Sequence, residues 1–290
     1  IAKNFSIDSN RIILGSGSDE VLLFAALAFC QDGDEILHAN HGFEMYSIVS
    51  KVVGAVPKKI MEDVNFNLNI ENLIDQTNDA TKVIYIASPN NPTGTYLSRD
   101  QLVKLMNSIS KNIIVVIDGA YVEYVQKDDY DKGFSLTDEY ENIILTRTFS
   151  KTYGLAALRV GWCYTSQKIA DIINKIKPPF NTTTISQSLA IKALEDKEHI
   201  ENSVKLNSEI KDWFEKELKL LNIKTRQTEG NFTLIETSEE EAEKISNHLM
   251  NDGIIIRRLN SYNLPNFLRI SIGTKEEMNL TVESLKKFNV

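Results

Sequence analysis

The chain has 290 residues, of which 42% are apolar and 25% charged. Those proportions suit a folded globular protein and exclude a disordered, collagen-like or coiled-coil chain. With 40 acidic against 32 basic residues the net charge is −8, which argues against nucleic acid as a partner. In chain order, short β-branched runs alternate with longer amphipathic ones. Strands are predicted over 11–14, 35–39, 82–87, 113–118, 143–147 and 160–165, and helices over 19–30, 45–53, 69–75 and 98–110. Several of these strands are apolar throughout, as in parallel sheets covered on both faces. The alternation predicts an α/β sheet of βαβ units. After Pro178-Pro179 the texture changes to long helices over 185–194 and 199–221. A strand at 231–236, a helix at 239–252, strands at 254–258 and 267–272 and a helix from Lys275 then predict a smaller α+β domain. The expected domains are 1–193 and 194–290.

The longest strongly apolar stretch, 21–30, is too short for a bilayer span, which takes roughly 20 residues. No secretory apolar region opens the sequence. Cys30 and Cys163 form no disulfide framework, so a reducing, cytoplasmic setting is the expectation. The chain begins at Ile1 in what reads as the end of a helix, so an N-terminal piece is expected to be missing.

Several strand ends carry chemistry. Gly15-Ser16-Gly17-Ser18-Asp19-Glu20 follows a strand and opens a helix, where free N–H groups and the helix dipole attract an anion. A dinucleotide fingerprint would put Gly where Glu20 stands and an acidic residue about 20 positions later. A monophosphate cradle is therefore favoured over a plain helix cap, and both over a dinucleotide site. Ser88-Pro89-Asn90-Asn91-Pro92-Thr93-Gly94 reads equally as a turn or as a place to aim an Asn amide into the crevice at a strand's carboxyl edge. Asp118 ends an apolar strand as a helix cap or as counter-ion to a positively charged ligand nitrogen. Ser150-Lys151 ends the next, and the lysine there is either solvated or desolvated enough to be nucleophilic. Arg159 follows eight residues on, a second cation able to bind phosphate. Phe43 and Tyr46 read more readily as core residues than as stacking platforms, though Phe43 follows a strand in the same crevice. Arg269 lies between Leu268 and Ile270, and facing inward it would need a carboxylate or phosphate partner. His38, His41, His199 and His248 lack ligand spacing, so no metal site is expected.

Asn91, Asp118-x-x-Tyr121, Ser150-Lys151 and Arg159, in that order, resemble the fold type I pyridoxal-phosphate aminotransferases of class I/II. Within that group, residues 17–20, 41–46, 118–124, 147–151 and 268–274 are most similar to the histidinol-phosphate aminotransferases. The resemblance spans essentially the whole chain. It implies a mostly parallel sheet sandwiched by helices, with a smaller α+β C-terminal domain. It also implies pyridoxal 5′-phosphate as cofactor, a small-molecule amino donor such as histidinol phosphate, a 2-oxo acid acceptor and a homodimer. By the same resemblance, Lys151 binds the cofactor covalently and moves the substrate proton, and Asp118 pairs with the pyridine nitrogen. Tyr121 and Asn91 bond the ring hydroxyl, and Phe43 stacks on the ring. Ser18, Asp19, Ser150 and Arg159 surround the phosphate, and Arg269, with Arg257 as a weaker candidate, takes the substrate's distal anion. Asn91–Pro92 is expected to be cis. Aromatic or broad-specificity aminotransferases and threonine-phosphate decarboxylases are the alternatives in the same fold. Gly119 departs from the many relatives that have Glu after the Asp, and the family's N-terminal arm is not present in this sequence.

Overall fold

In a computed structural model that describes residues 1–288, the strand ends named above meet along one edge of a single sheet. Seven strands build it: β1 (Ile12–Gly15), β2 (Glu35–Ala39), β3 (Val56–Ile60), β4 (Thr81–Ala87), β5 (Ile114–Asp118), β6 (Ile143–Thr148) and β7 (Gly161–Thr165). Their spatial order is β1-β7-β6-β5-β4-β2-β3. Strands β2 to β6 pair in parallel, whereas β7 runs antiparallel to both β6 and β1. The carboxyl ends of β1, β2, β4, β5 and β6 and the amino end of β7 therefore share one edge. Gly15 and Thr148 both lie opposite Gly161 in register. That edge is where open α/β sheets bind their ligands.

Helices cover both faces. The helices Ser18–Phe29 and Gln167–Ile176 pack Val21, Leu22, Ile169 and Ile173 on one face, and Ile70–Asp75 and Arg99–Ser108 pack Leu73, Leu102 and Leu105 on the other. Every residue of β5, β6 and β7 is buried as a result. Apolar character in β7 thus reports burial on two sides and not parallel pairing.

The second sheet is antiparallel, with order β10-β11-β9-β8, from β8 (Lys224–Arg226), β9 (Phe232–Glu236), β10 (Arg257–Leu259) and β11 (Leu264–Ser271). Helices Lys197–Leu220, Glu239–Asn251 and Lys275–Phe288 cover one face through Phe214, Leu218, Ile245, Leu268 and Ile270. Side chains alternate along a strand. Phe267 packs with Leu234 and Tyr262 on the face away from those helices, and Arg269 is in step with Phe267.

Several elements differ from the sequence reading, and the helices Leu136–Glu139 and Gln167–Ile176 were not expected at all. Strand β3 was not expected, because Val56-Pro57-Lys58-Lys59-Ile60 carries Pro and two lysines and is half exposed, a composition suited to a sheet edge. Strand β8 has only three residues and no buried position to mark it. The predicted 254–258 strand starts at Arg257, since Ile254 and Ile256 pack instead against the helical layer. Asn91–Pro92 is cis, as expected, and so is Ser88–Pro89.

Candidate active site

Ser18, Asp19, Phe43, Asn91, Asp118, Tyr121, Ser150, Lys151 and Arg159 all line one cavity of about 180 Å³ at the shared edge. Asp118 ends β5 and is buried. Its Oδ1 accepts the Thr146 hydroxyl at 2.9 Å and its Oδ2 accepts the Tyr46 hydroxyl at 3.0 Å. Burial raises its proton affinity, and those two donors oppose the rise. A buried carboxylate met by neutral donors is suited to a cationic partner.

Lys151 follows β6 and opens into the cavity, its ammonium 5.4 Å from the centre of the Tyr121 ring. Desolvation lowers its pKa, as does the positive charge of Arg269, against the opposing pull of Asp19 and Asp118. Tyr121 is itself buried beside Phe232 of β9, their rings edge-to-face at 5.5 Å.

The anion end is built from the loop after β1. Gly17 takes φ +80° and precedes the helix Ser18–Phe29, which has no side-chain cap. The first N–H groups of such a helix have no partner within it. Arg159, in a left-handed conformation just before β7, lies against Gly17 and donates to Ser150 Oγ at 3.4 Å and to Asp19 at 3.2 Å. Thr148 donates to Ser150 Oγ at 3.0 Å and also lines the cavity.

The second sheet adds Arg269. Its Nη1 donates to Asn91 Oδ1, its Nε is buried without a partner, and its guanidinium lies 5.2 Å from the centre of the Phe232 ring. Arg257 stands directly opposite Arg269 in the β10–β11 register, exposed and outside the cavity lining. The nine residues expected at the cofactor are thus together, Arg269 reaches them through Asn91, and Arg257 stays apart. Gly119 also has a local reason: a Cβ there would run into the buried Arg147 guanidinium, which donates to the Thr146 carbonyl at 2.8 Å.

Sequence reading missed Thr146, Thr148 and the hydroxyl of Tyr46. Spacing held no signal for Thr146, because its place depends on the β5–β6 register that sets it opposite Asp118. Among the described residues, no group of three or more His, Cys, Asp or Glu is arranged to hold a metal ion.

Residues 1–285 match the family model for aminotransferase class I and II. The chain belongs to that family. It is therefore a pyridoxal-phosphate-dependent transferase. Among curated aminotransferases it is 40% identical to the histidinol-phosphate aminotransferase of Pelagibacter ubique, covering 100% of this chain and 81% of that one. It is 39% identical to the enzyme of the same name from Zymomonas mobilis, over 94% and 75% of the two chains. Among solved structures, the fold matches histidinol-phosphate aminotransferase from Sinorhizobium meliloti in complex with pyridoxal 5′-phosphate. The TM-score is 0.92 at 23% identity, with 99% of this chain and 80% of that one covered.

The residues present fit the cofactor. A buried carboxylate is available to a ring nitrogen, a lysine of lowered pKa to an aldehyde, and an uncapped helix start with Arg159 and two hydroxyls to a phosphate.

Proposed function

We propose that the protein transfers an amino group between histidinol phosphate and 2-oxoglutarate, with its cofactor held on Lys151. The observation that carries the reading is the convergence of Asp118, Lys151 and Arg159 in one cavity beside an uncapped helix start. Likeness to the curated histidinol-phosphate aminotransferases supports the choice of donor.

Pyridoxal phosphate, when bound, supplies a conjugated ring that accepts the electron pair left when a substrate's α-carbon loses its proton. In this reading Asp118 holds a proton at the ring nitrogen and so strengthens that sink. Lys151, whose amine sheds its proton more readily than an ordinary lysine, would take the proton from the substrate's α-carbon and deliver it across the bridging nitrogen to the cofactor's aldehyde carbon. Asn91 and Tyr121 hold the ring hydroxyl, Phe43 packs on the ring face, and Ser18, Asp19, Ser150 and Arg159 anchor the phosphate. Arg269 grips the α-carboxylate of glutamate in one half-reaction and the phosphate of histidinol phosphate in the other. Arg257, opposite Arg269 in the strand pair but exposed and outside the cavity lining, stays the weaker candidate for the dianion.

The reading extends to a cytoplasmic homodimer of two-domain subunits that divide near residue 194. No helix among the described residues is long and apolar enough to cross a membrane. Phe180, at 97% exposure, and Ile185 and Leu189, one turn apart on the helix Thr184–Glu195, form apolar surface of the kind a second copy covers.

The test is kcat/KM for histidinol phosphate and for phenylalanine against 2-oxoglutarate. Two extra charge-assisted bonds to a phosphate imply a preference of roughly 10²- to 10⁴-fold. Equal or better use of phenylalanine would overturn the choice of donor.

A further inference from the structure

Tyr46, on the helix Met45–Val52, is 1% exposed and reaches the cavity through Asp118, one of its lining residues. Its ring lies parallel to that of Tyr85, centres 4.9 Å apart with 3° between planes. Tyr85 is fixed in turn by donating to the Leu22 carbonyl at 2.7 Å. Phe43 meets the Tyr46 ring edge-on at 5.8 Å, and His38 is tilted against it at 5.9 Å. Packing therefore sets where the Tyr46 hydroxyl points, and a phenylalanine would fill the same slot. What the hydroxyl adds is one bond to Asp118 Oδ2, while Thr146 serves Oδ1. Burying a hydroxyl costs free energy unless it is bonded, and here its partner is the one buried carboxylate of the site.

We propose that Tyr46 is a positioning residue for Asp118, whose hydroxyl keeps the shared proton on the cofactor's ring nitrogen and off the carboxyl. The proposal rests on the reading of Asp118 as the partner of that nitrogen. Donors to a carboxylate stabilise its charged form. The other groups facing Asp118 divide: burial and Asp19 favour its protonation, Arg147 and Thr146 oppose it. With Tyr46 removed, the balance moves toward a neutral carboxyl and an unprotonated ring, a weaker electron sink. Through its contact with Phe43, the same ring also ties the nitrogen's partner to the residue expected on the ring face.

The holoenzyme loaded with cofactor labelled with ¹⁵N in the ring reports the proton directly, because the ring resonance differs between pyridinium and pyridine. Wild type should give the protonated signal and Asp118→Asn the neutral one, with Tyr46→Phe displaced toward neutral. The apoprotein adds a second readout that needs no turnover. Its preference for pyridoxal phosphate over the 1-deaza analogue, which has C–H in place of the ring nitrogen, should fall about tenfold in Tyr46→Phe, the worth of one hydrogen bond to a charged group. Affinity for the deaza analogue should stay at the wild-type value. A wild-type resonance in Tyr46→Phe, or equal loss of both ligands, overturns the proposal while leaving Asp118 at the nitrogen. A protonated signal in Asp118→Asn overturns that reading and the proposal with it.

Discussion

Replacing Gly161 with alanine should loosen the phosphate end of the cavity without touching any charged or catalytic side chain. Gly161 opens β7 against the loop after β1, and its φ is not one that demands glycine. The constraint is space. A Cβ there would stand under 3.0 Å from the Ser18 nitrogen and the Gly17 carbonyl carbon, and 2.9 Å from the Gly17 oxygen. All three are backbone atoms, so none can swing aside as a side-chain tip would. Ordinary contact begins at 3.4 Å, so the loop must retreat by about half an ångström at the Gly17 oxygen and by more at Ser18. Overpacking of this kind costs roughly 1–3 kcal/mol, or a few degrees in Tm. The displaced atoms include the N–H groups expected on the phosphate, and one charge-assisted bond is worth roughly 1.5–3 kcal/mol. Affinity of the apoprotein for pyridoxal phosphate, followed by absorbance, should therefore fall roughly 10- to 100-fold. Pyridoxal, which lacks the phosphate, should bind Gly161→Ala as it binds wild type. Unchanged affinity for the phosphorylated ligand, or an equal fall for both, would refute the reasoning.

Arg269→Lys should lower kcat/KM in both half-reactions by roughly 10²-fold or more, since an ammonium does not reproduce the guanidinium fork; measured single turnovers with glutamate and with histidinol phosphate check this. Asp118 has its pKa raised by burial, so its contribution to apoprotein stability is present at acid pH and lost as pH rises through the raised value. Apo Asp118→Asn should accordingly melt above apo wild type at pH 7, with the gap closing toward pH 4, as scanning calorimetry would show. Lys151 is lowered from 10.5 by desolvation and then by Arg269. Capture of cofactor by the apoprotein should therefore rise with pH about a midpoint below that value, and the midpoint should move upward in Arg269→Gln.

Much of the site was legible because its residues sit at strand ends. The sheet edge turns Asn91, Asp118, Ser150-Lys151 and Arg159, scattered over 69 positions, into neighbours, and their order in the chain survives in the fold. Long apolar strands were readable for the same local reasons, and so was the helix Arg99–Ser108, which Ser98 and Gln101 open with a reciprocal capping box, whereas the amphipathic helix Gln167–Ile176, capped by Ser166, was missed. What escaped depends on partners far off in sequence. The antiparallel turn of β7 is invisible in Gly161–Thr165, whose burial mimics a parallel strand. Tyr46 and Thr146 matter through Asp118, 72 and 28 residues away, and no local pattern marks a hydroxyl that points at a carboxylate. Edge strands β3 and β8 bury little, so their sequences carry little signal.

Lys151 is the residue proposed to hold the cofactor. Borohydride reduction of the holoenzyme, followed by digestion and mass spectrometry, tests it most directly. The peptide containing Lys151 should gain the mass of the reduced cofactor, and Lys151→Ala should lose the label. Label on a different lysine in the wild-type protein would contradict the account.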